Sequence, residues 1–346
     1  MLRVIKRKIY PIVSKYLLRA TIVEGFLRET ECPFRCLIIG DSLFTEYLQA
    51  KMYAEPPVVV KKWRIWNPAL KKLILNPPNS IDMCIAVLPT KYESTFHGLY
   101  DFKCQGSVHQ IIDTTGTWED VRKRFSRRKR QITKDLPEKF NLGYRISNDL
   151  EDFNFFYHRM HIPHIKKQFG KLAFIDSYDA MKKIFLNGFL LLVISGKEAV
   201  AGSLCQVKDK VLISHRMGVL DGDESHILSG AQTAVSYFEL IYANEQNLHS
   251  VDVGNSPPFF NDGVYRHKRD WGATVLPNEE SNIWVYFFHT GSPEKIAYFY
   301  NKNPAIVYTD EGLKGVTVIE GNPVAQSHHY LYQRGVERSD QNPGLD

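Results

Sequence analysis

The sequence predicts an α+β protein: a central mixed, mostly antiparallel sheet flanked by helices. Three observations carry that prediction. Between residues 189 and 217, three apolar runs are joined by the two-residue turns Gly196-Lys197 and Lys208-Asp209, the pattern of an antiparallel meander. The meander leads through a long amphipathic segment, about 229 to 245, into one more short strand. At 346 residues, 44% hydrophobic and 24% charged, the chain has the composition of a folded protein larger than one typical domain.

Taken in order, residues 1–30 alternate basic and apolar groups and are broken by Pro11. They lack a continuous apolar stretch and a cleavage site, so they are read as a terminal helix on the body or as an amphipathic segment touching anionic membrane, not as a signal peptide. Residues 36–39 and 81–88 read as strands and 44–52 as a helix, with Pro56-Pro57 and Pro77-Pro78 marking loops. From Trp118 the chain turns helical and basic, and Pro137 is expected to end that run. The expected organisation is therefore a first half over 31–135, a second over 136–325 and a flexible tail over 326–346.

In the second half Asp149 caps a helix whose Leu150, Phe153 and Tyr157 form an apolar stripe. Ser177 starts another, with Met181, Ile184 and Phe185 inward and Asn187-Gly188 as its stop. After the meander, the long helix turns Ala231, Ala234, Phe238 and Ile241 to one side. A strand over 249–253, a short helix capped by Asp262 and a strand over 282–288 complete the pattern.

Bulk properties exclude several classes. The longest uninterrupted apolar run, 189–194, is far too short to span a bilayer. Five cysteines form no disulfide framework, which favours a cytoplasmic location, and Cys32 and Cys36 have no second pair to complete a metal site. His158, His161 and His164 have the spacing of a ligand set, but Pro163 is expected to end their helix and take the third away, so no metal is expected. A net charge of +6 suits an anionic ligand without implying nucleic acid. Eight Lys or Arg between Arg122 and Lys134 read first as a solvated helix face, or else as a contact for phosphate from tRNA, a lipid-linked sugar or a membrane.

The segments 153–170, 190–207 and 252–273 resemble the GNAT acyltransferase superfamily, in its branch with the FemAB-type peptidyltransferases. The last is the most specific, with its Gly-x-Ser-x-Pro, Asn-Asp-Gly-Val and Lys-x-x-Trp-Gly elements. The resemblance implies a GNAT-like fold in two tandem halves, the first degenerate, and a cleft where two strands splay apart. There an acyl donor, acetyl-CoA or another acyl-CoA, or an aminoacyl-tRNA, meets a small-molecule or lipid-linked amine such as an amino sugar or cell-envelope precursor. It implies Lys268 as the group that offsets oxyanion or phosphate charge, Asp252 as the residue that orients or deprotonates the amine, and Tyr265 as a general acid. Tyr157, His161, Asn255, Ser256 and Arg266 would border the substrate. Of a CoA loop only Gly218, Gly230 and Ala231 are left, because the usual Gly-rich pattern is replaced by GVLDGDESHILSG with acidic residues inside it. Aminoacyl-tRNA-dependent transfer and a non-catalytic binding role therefore stay open. A further alternative is a GDSL-type esterase, from LIIGDSL with Ser42 as nucleophile and Asp223 and His226 as partners.

Overall fold

In the computed structural model, the described residues are 17–327, apart from 41, 79, 139, 171, 172 and 174. They form sixteen strands: β1 (Leu17–Phe26), β2 (Pro33–Ile39), β3 (Val58–Trp66), β4 (Met83–Pro89), β5 (Phe102–Gln105), β6 (Val108–Asp113), β7 (Leu142–Ser147), β8 (Phe189–Ser195), β9 (Glu198–Lys208), β10 (Val211–Val219), β11 (Ser250–Ser256), β12 (Thr274–Leu276), β13 (Ile283–His289), β14 (Ile306–Thr309), β15 (Gly312–Ile319) and β16 (Asn322–Ser327). The chain divides into two compact units. The first holds the described residues up to Val108, then Ser256–Tyr265 and the chain from Pro277; the second holds His109–Asn255 and Arg266–Leu276.

The first unit is a six-stranded sheet in the order β3-β1-β2-β4-β13-β5, with a three-stranded meander β14-β15-β16. Alternate residues of its inner strands feed two separate cores. Cys36, Ile38, Ile85, Val285 and Phe287 join one layer, while Leu37, Ile39, Cys84, Leu88, Trp284 and Tyr286 join the other. A strand buried on both faces reads as an unbroken apolar run, which is why β4 and β13 were visible in the sequence. Only the strand pair β2/β4 is parallel; β1/β2, β1/β3, β4/β13 and β5/β13 are antiparallel.

The second unit is a seven-stranded sheet in the order β12-β6-β11-β10-β9-β8-β7. The long helix (Ala231–Glu245) covers one face, where Ala231, Ala234, Val235 and Phe238 pack with Leu191, Val193 and Leu212. The helical segment from Leu150 and the helix Tyr178–Phe185 cover the other, through Phe153, Phe156, Met160, Met181 and Phe185 against Leu190, Leu192 and Leu204. The caps Asp149 and Ser177 are in place, each accepting a backbone N–H of its helix. Leu150, expected in the apolar stripe, is exposed. Among the described residues no helix is long and apolar enough to cross a membrane.

Three expectations are corrected. Residues 17–26 are not part of a terminal helix: they form β1, paired on both sides by β2 and β3. Residues 1–16 and 328–346, where the amphipathic segment and most of the flexible tail were expected, lie outside the described residues. The break is not at 135. The basic helices belong with the second unit, and β13 returns to the first, where it fills the place between β4 and β5. Nor does Pro163 end its helix. A π-helical turn (Phe156–His161) precedes it, with the Ile162 N–H bonded to the Tyr157 carbonyl, and the chain stays helical to Phe169. The wider turn accommodates the proline ring without a break.

Candidate functional site

The second unit contains one place where its sheet opens. β10 and β11 are parallel neighbours, but they pair only through Val211–Ile213 and Ser250–Asp252. Beyond Ser214, β10 carries a bulge at His215 before its register with β9 resumes at Arg216. A bulge bends its strand and increases its twist, so β10 turns away from β11 just where the pairing stops. The opening leaves a cavity of about 170 Å³. β10 contributes Ser214 to Met217, β11 contributes Val251 and Val253, the long helix Val235 and Glu239, and the short helix (Gly263–Asp270) with its following residue His267, Lys268 and Trp271.

Four residues converge at the end of β11. Asp252 accepts from the Gly254 N–H at 2.8 Å, and its carboxylate lies 3.1 Å from His109 Nε2. The other ring nitrogen of His109 is 3.0 Å from Asn255 Oδ1. Lys268 Nζ donates to the Asn255 carbonyl at 2.8 Å. With an oxygen at each ring nitrogen, His109 is best satisfied as an imidazolium donating twice. Its pKa is raised, chiefly by the hydrogen bond to Asp252. Partial burial pushes the Asp252 carboxyl up, but the bonds from His109 and Gly254 and the nearby charges of His109 and Lys268 outweigh it and hold the group below its ordinary range. His109 reaches this place because β6 lies next to β11 in the sheet.

In and beside the cavity, burial disfavours the charged form of several titratable groups. Glu239 is buried and accepts from Ser214 Oγ at 2.6 Å; burial pushes its carboxyl up. Burial lowers His215, and burial followed by the charges of Lys129 and Lys268 lowers His267 to about 4. Lys129, also buried, stands 4.5 Å from the centre of the Trp271 ring and is lowered to about 8, first by desolvation. His215 Nε2 and Trp271 Nε1 are buried and have no hydrogen-bond partner among the described residues. Leaving such groups unsatisfied costs about 1–3 kcal/mol each, an expense that a polar guest in the cavity would remove.

Of the residues expected to do chemistry, Lys268, Asp252 and Asn255 are brought together. His109, Glu239, His215 and Trp271 were not foreseen. Tyr265 is fully buried against Phe260 in the first unit and does not line the cavity. Arg266 is exposed, and Ser256 is buried at the end of β11. Tyr157 donates to the Asp176 carbonyl and His161 Nδ1 lies 3.0 Å from the Met217 carbonyl, so both serve the packing of their helix; neither lines the opening. His161 and His164 are buried, and among the described residues no three His, Cys, Asp or Glu side chains gather as a metal ion would require.

The residues expected to hold a pyrophosphate do not form a backbone cradle. A Cβ on Gly218 would stand 2.5 Å from the backbone of Met160 and His161, so that glycine exists to let the π turn pack on β10. A Cβ on Gly230 would meet Leu136 at 2.8 Å, and Ala231 is fully buried in the core. The acids of this loop are structural: Asp221 is held bidentately by Arg159, and Asp223 caps the helix Glu224–Leu228. Ser42 starts the helix Leu43–Met52 in the first unit, while Asp223 and His226 belong to the second.

No protein-family profile matches the chain, and no curated protein sequence matches it significantly. Among solved structures it is similar to FemX, at 10% identity over 79% of this chain and 85% of that one, with a TM-score of 0.41. It is similar to L-PGS from Bacillus licheniformis at 11% identity over 77% and 83% of the two chains, with a TM-score of 0.37. An acetyltransferase of the GNAT family from Colwellia psychrerythraea matches at 12% identity over 66% and 77%, with a TM-score of 0.32.

Proposed function

We propose that this protein is an N-acyltransferase that moves an acyl or aminoacyl group onto an amine, with the acyl carbonyl seated in the opening between β10 and β11. One observation carries the reading: the two parallel strands separate immediately after Asp252, and the cavity that results has the Lys268 ammonium at its rim. The cavity walls are mostly apolar, which strengthens a fixed charge aimed at a developing oxyanion. Lys268, anchored by the Asn255 carbonyl, supplies that charge. Asp252 is too well satisfied to be a good proton acceptor; it holds His109 and, with it, orients the incoming amine. In its neutral form His109 keeps Asp252 on one ring nitrogen and, with the amine in place of Asn255 at the other, takes the amine's proton as the C–N bond forms. It gives that proton to the donor's oxygen or sulfur as that atom's bond to the acyl carbon breaks, so His109 and not Tyr265 is the acid–base group of this reading.

The donor follows from the loop before the long helix. With Gly218 and Gly230 closed by packing, the residues do not fit the pyrophosphate of acetyl-CoA. An aminoacyl donor agrees better with a cavity that offers a buried carboxyl and two unsatisfied nitrogens. The resemblance of the 252–273 segment to the Fem branch supports an amino sugar or cell-envelope precursor as acceptor. A non-catalytic binding role is the second reading, favoured by the same closed loop.

The test is transfer itself. Purified protein is offered acetyl-CoA or charged tRNA with an amino-sugar acceptor, and the product is read by mass spectrometry. Lys268→Gln is expected to lower the turnover about 100-fold, the effect of deleting one oxyanion-stabilising group. Turnover unchanged in both Lys268→Gln and Asp252→Asn would overturn the site, and no transfer with either donor would leave the binding role.

A further inference from the structure

The first unit carries a surface that the reaction does not use. β3 is the outermost strand of its sheet, so one side of its backbone has no strand partner among the described residues. Edge strands in stable proteins are usually short or protected. This one is nine residues long and displays Val58, Val59, Val60 and Trp66, at 70% exposure for Val58 and 56% for Trp66. Leu75, at the end of the helix that follows (Asn67–Leu75), is exposed as well.

The charge on β3 and the helix after it is of one sign; Glu24 of β1, opposite Val58, lies 3.8 Å from Arg35. Residues 58–75 contain Lys61, Lys62, Arg64, Lys71 and Lys72 and no acid. Lys61 stands over the Trp63 ring at 5.3 Å, and among the described residues neither Lys62 nor Arg64 has a carboxylate partner. β1 pairs with β3 so that Leu17 lies opposite Trp66. In the sequence, residues 1–16, which lie outside the described residues, contain Arg3, Lys6, Arg7, Lys8 and Lys15 and no acid. Basic residues, exposed aliphatics and tryptophan are the combination that settles at a lipid headgroup boundary, where the indole and the aliphatics enter the interface and the cations meet anionic headgroups.

We propose that the β3 edge of the first unit docks on an anionic lipid surface. Charge complementarity selects this occupant over a second copy of the chain. Two β3 strands paired antiparallel would set Lys61, Lys62 and Arg64 among their own like charges, which is destabilising. A nucleic acid would answer the cations but leave the valines and Leu75 in water.

The experiment is sedimentation of the full chain with vesicles of phosphatidylglycerol mixed with phosphatidylcholine, against pure phosphatidylcholine. The protein is expected to partition onto the anionic vesicles and to be released as salt rises. The double variant K62Q/R64Q is expected to lower partitioning about 30-fold, roughly fivefold for each cation near a charged surface. Trp66→Ser should also weaken it, and both variants, lying on exposed positions, should melt with the parent. A third variant, R3Q/K6Q/R7Q/K8Q, separates the leading segment from the strand. The proposal fails if the parent ignores anionic vesicles, or if only the third variant releases it. It fails equally if light scattering shows a dimer that Trp66→Ser dissociates, for then the edge is covered by a second copy.

Discussion

Replacing His109 with Gln tests the charge arrangement at the end of β11 through the pH dependence of stability. His109 has a raised pKa in the folded protein, so folding favours its protonated form. Its contribution is complete below the ordinary histidine value of about 6.5 and is lost as pH rises through the folded value. Asp252 is lowered, so its contribution is present above about 3.9 and is lost only as pH falls through its own folded value. The pair therefore stabilises fully between about pH 4 and pH 6.5. A hydrogen bond between charged groups is worth about 1.5–3 kcal/mol net. The side chains of His109 and Asp252 are 27% and 24% exposed, which calls for a discount toward the values of solvent-screened pairs. About 1–2 kcal/mol is left.

For a unit of this size that amounts to about 2–8 °C in melting temperature. Thermal melts of the parent and His109→Gln at about pH 6 should differ by that much, and by progressively less as pH rises through the folded histidine value. The decisive quantity is the slope: a gap that stays constant with pH, or widens as pH rises, would refute an imidazolium donating to Asp252.

Gly218→Ala should cost about 3 kcal/mol or more in chemical denaturation, since its Cβ would press into the π-turn backbone; Gly143→Ala, with open space around it, should stay within about 0.5 kcal/mol. Glu239→Gln should behave oppositely to His109→Gln. The buried carboxyl has a raised pKa, so its contribution is complete below about 4.3 and is lost as pH rises through the folded value. Melts should therefore show Gln no better near pH 4 and more stable by about 1–3 kcal/mol near pH 8, and a Gln variant weaker at pH 8 would mean that the ionised carboxylate is paid for by a partner in the cavity.

Much of the second unit was legible because its signals are local. The Gly196-Lys197 turn, the caps Asp149 and Ser177 and the Asn187-Gly188 stop each act within a few residues and are in place, while the second turn falls at Asp209-Lys210, one residue later than expected. The failures are non-local. Leu17–Phe26 has enough alternating charge to read as an amphipathic helix, but Thr21, Ile22 and Val23 are β-branched and strands wait on both sides of them. β13 is an apolar and aromatic run up to its last residue, His289, so nothing in its own residues says which sheet receives it. Pro163 was a sound stop signal that a π turn, invisible to 3.6-residue periodicity, defeated.

The site divides in the same way, and the division explains why the segment 252–273 was informative but incomplete. It supplies Asp252, Asn255 and Lys268 because all three sit on one strand, its loop and the next helix. His109 lies 146 residues from Asn255, and it is only one of three polar side chains in the run VHQIID, with nothing to single it out. Yet His109 changes what Asp252 is. Read alone, Asp252 is a carboxylate at a strand end, equally suited to deprotonate an amine or to cap a loop. With His109 and Gly254 bonded to it, the carboxylate is held below its ordinary range, and a proton arriving there would have to displace two hydrogen bonds. On the proposed function the basicity of the site thereby moves to the imidazole, while the opening between the strands depends on the His215 bulge and on how few residues of β10 and β11 pair. Chemistry at this place is a property of three strands that the chain order keeps far apart, and the motif names only one of them.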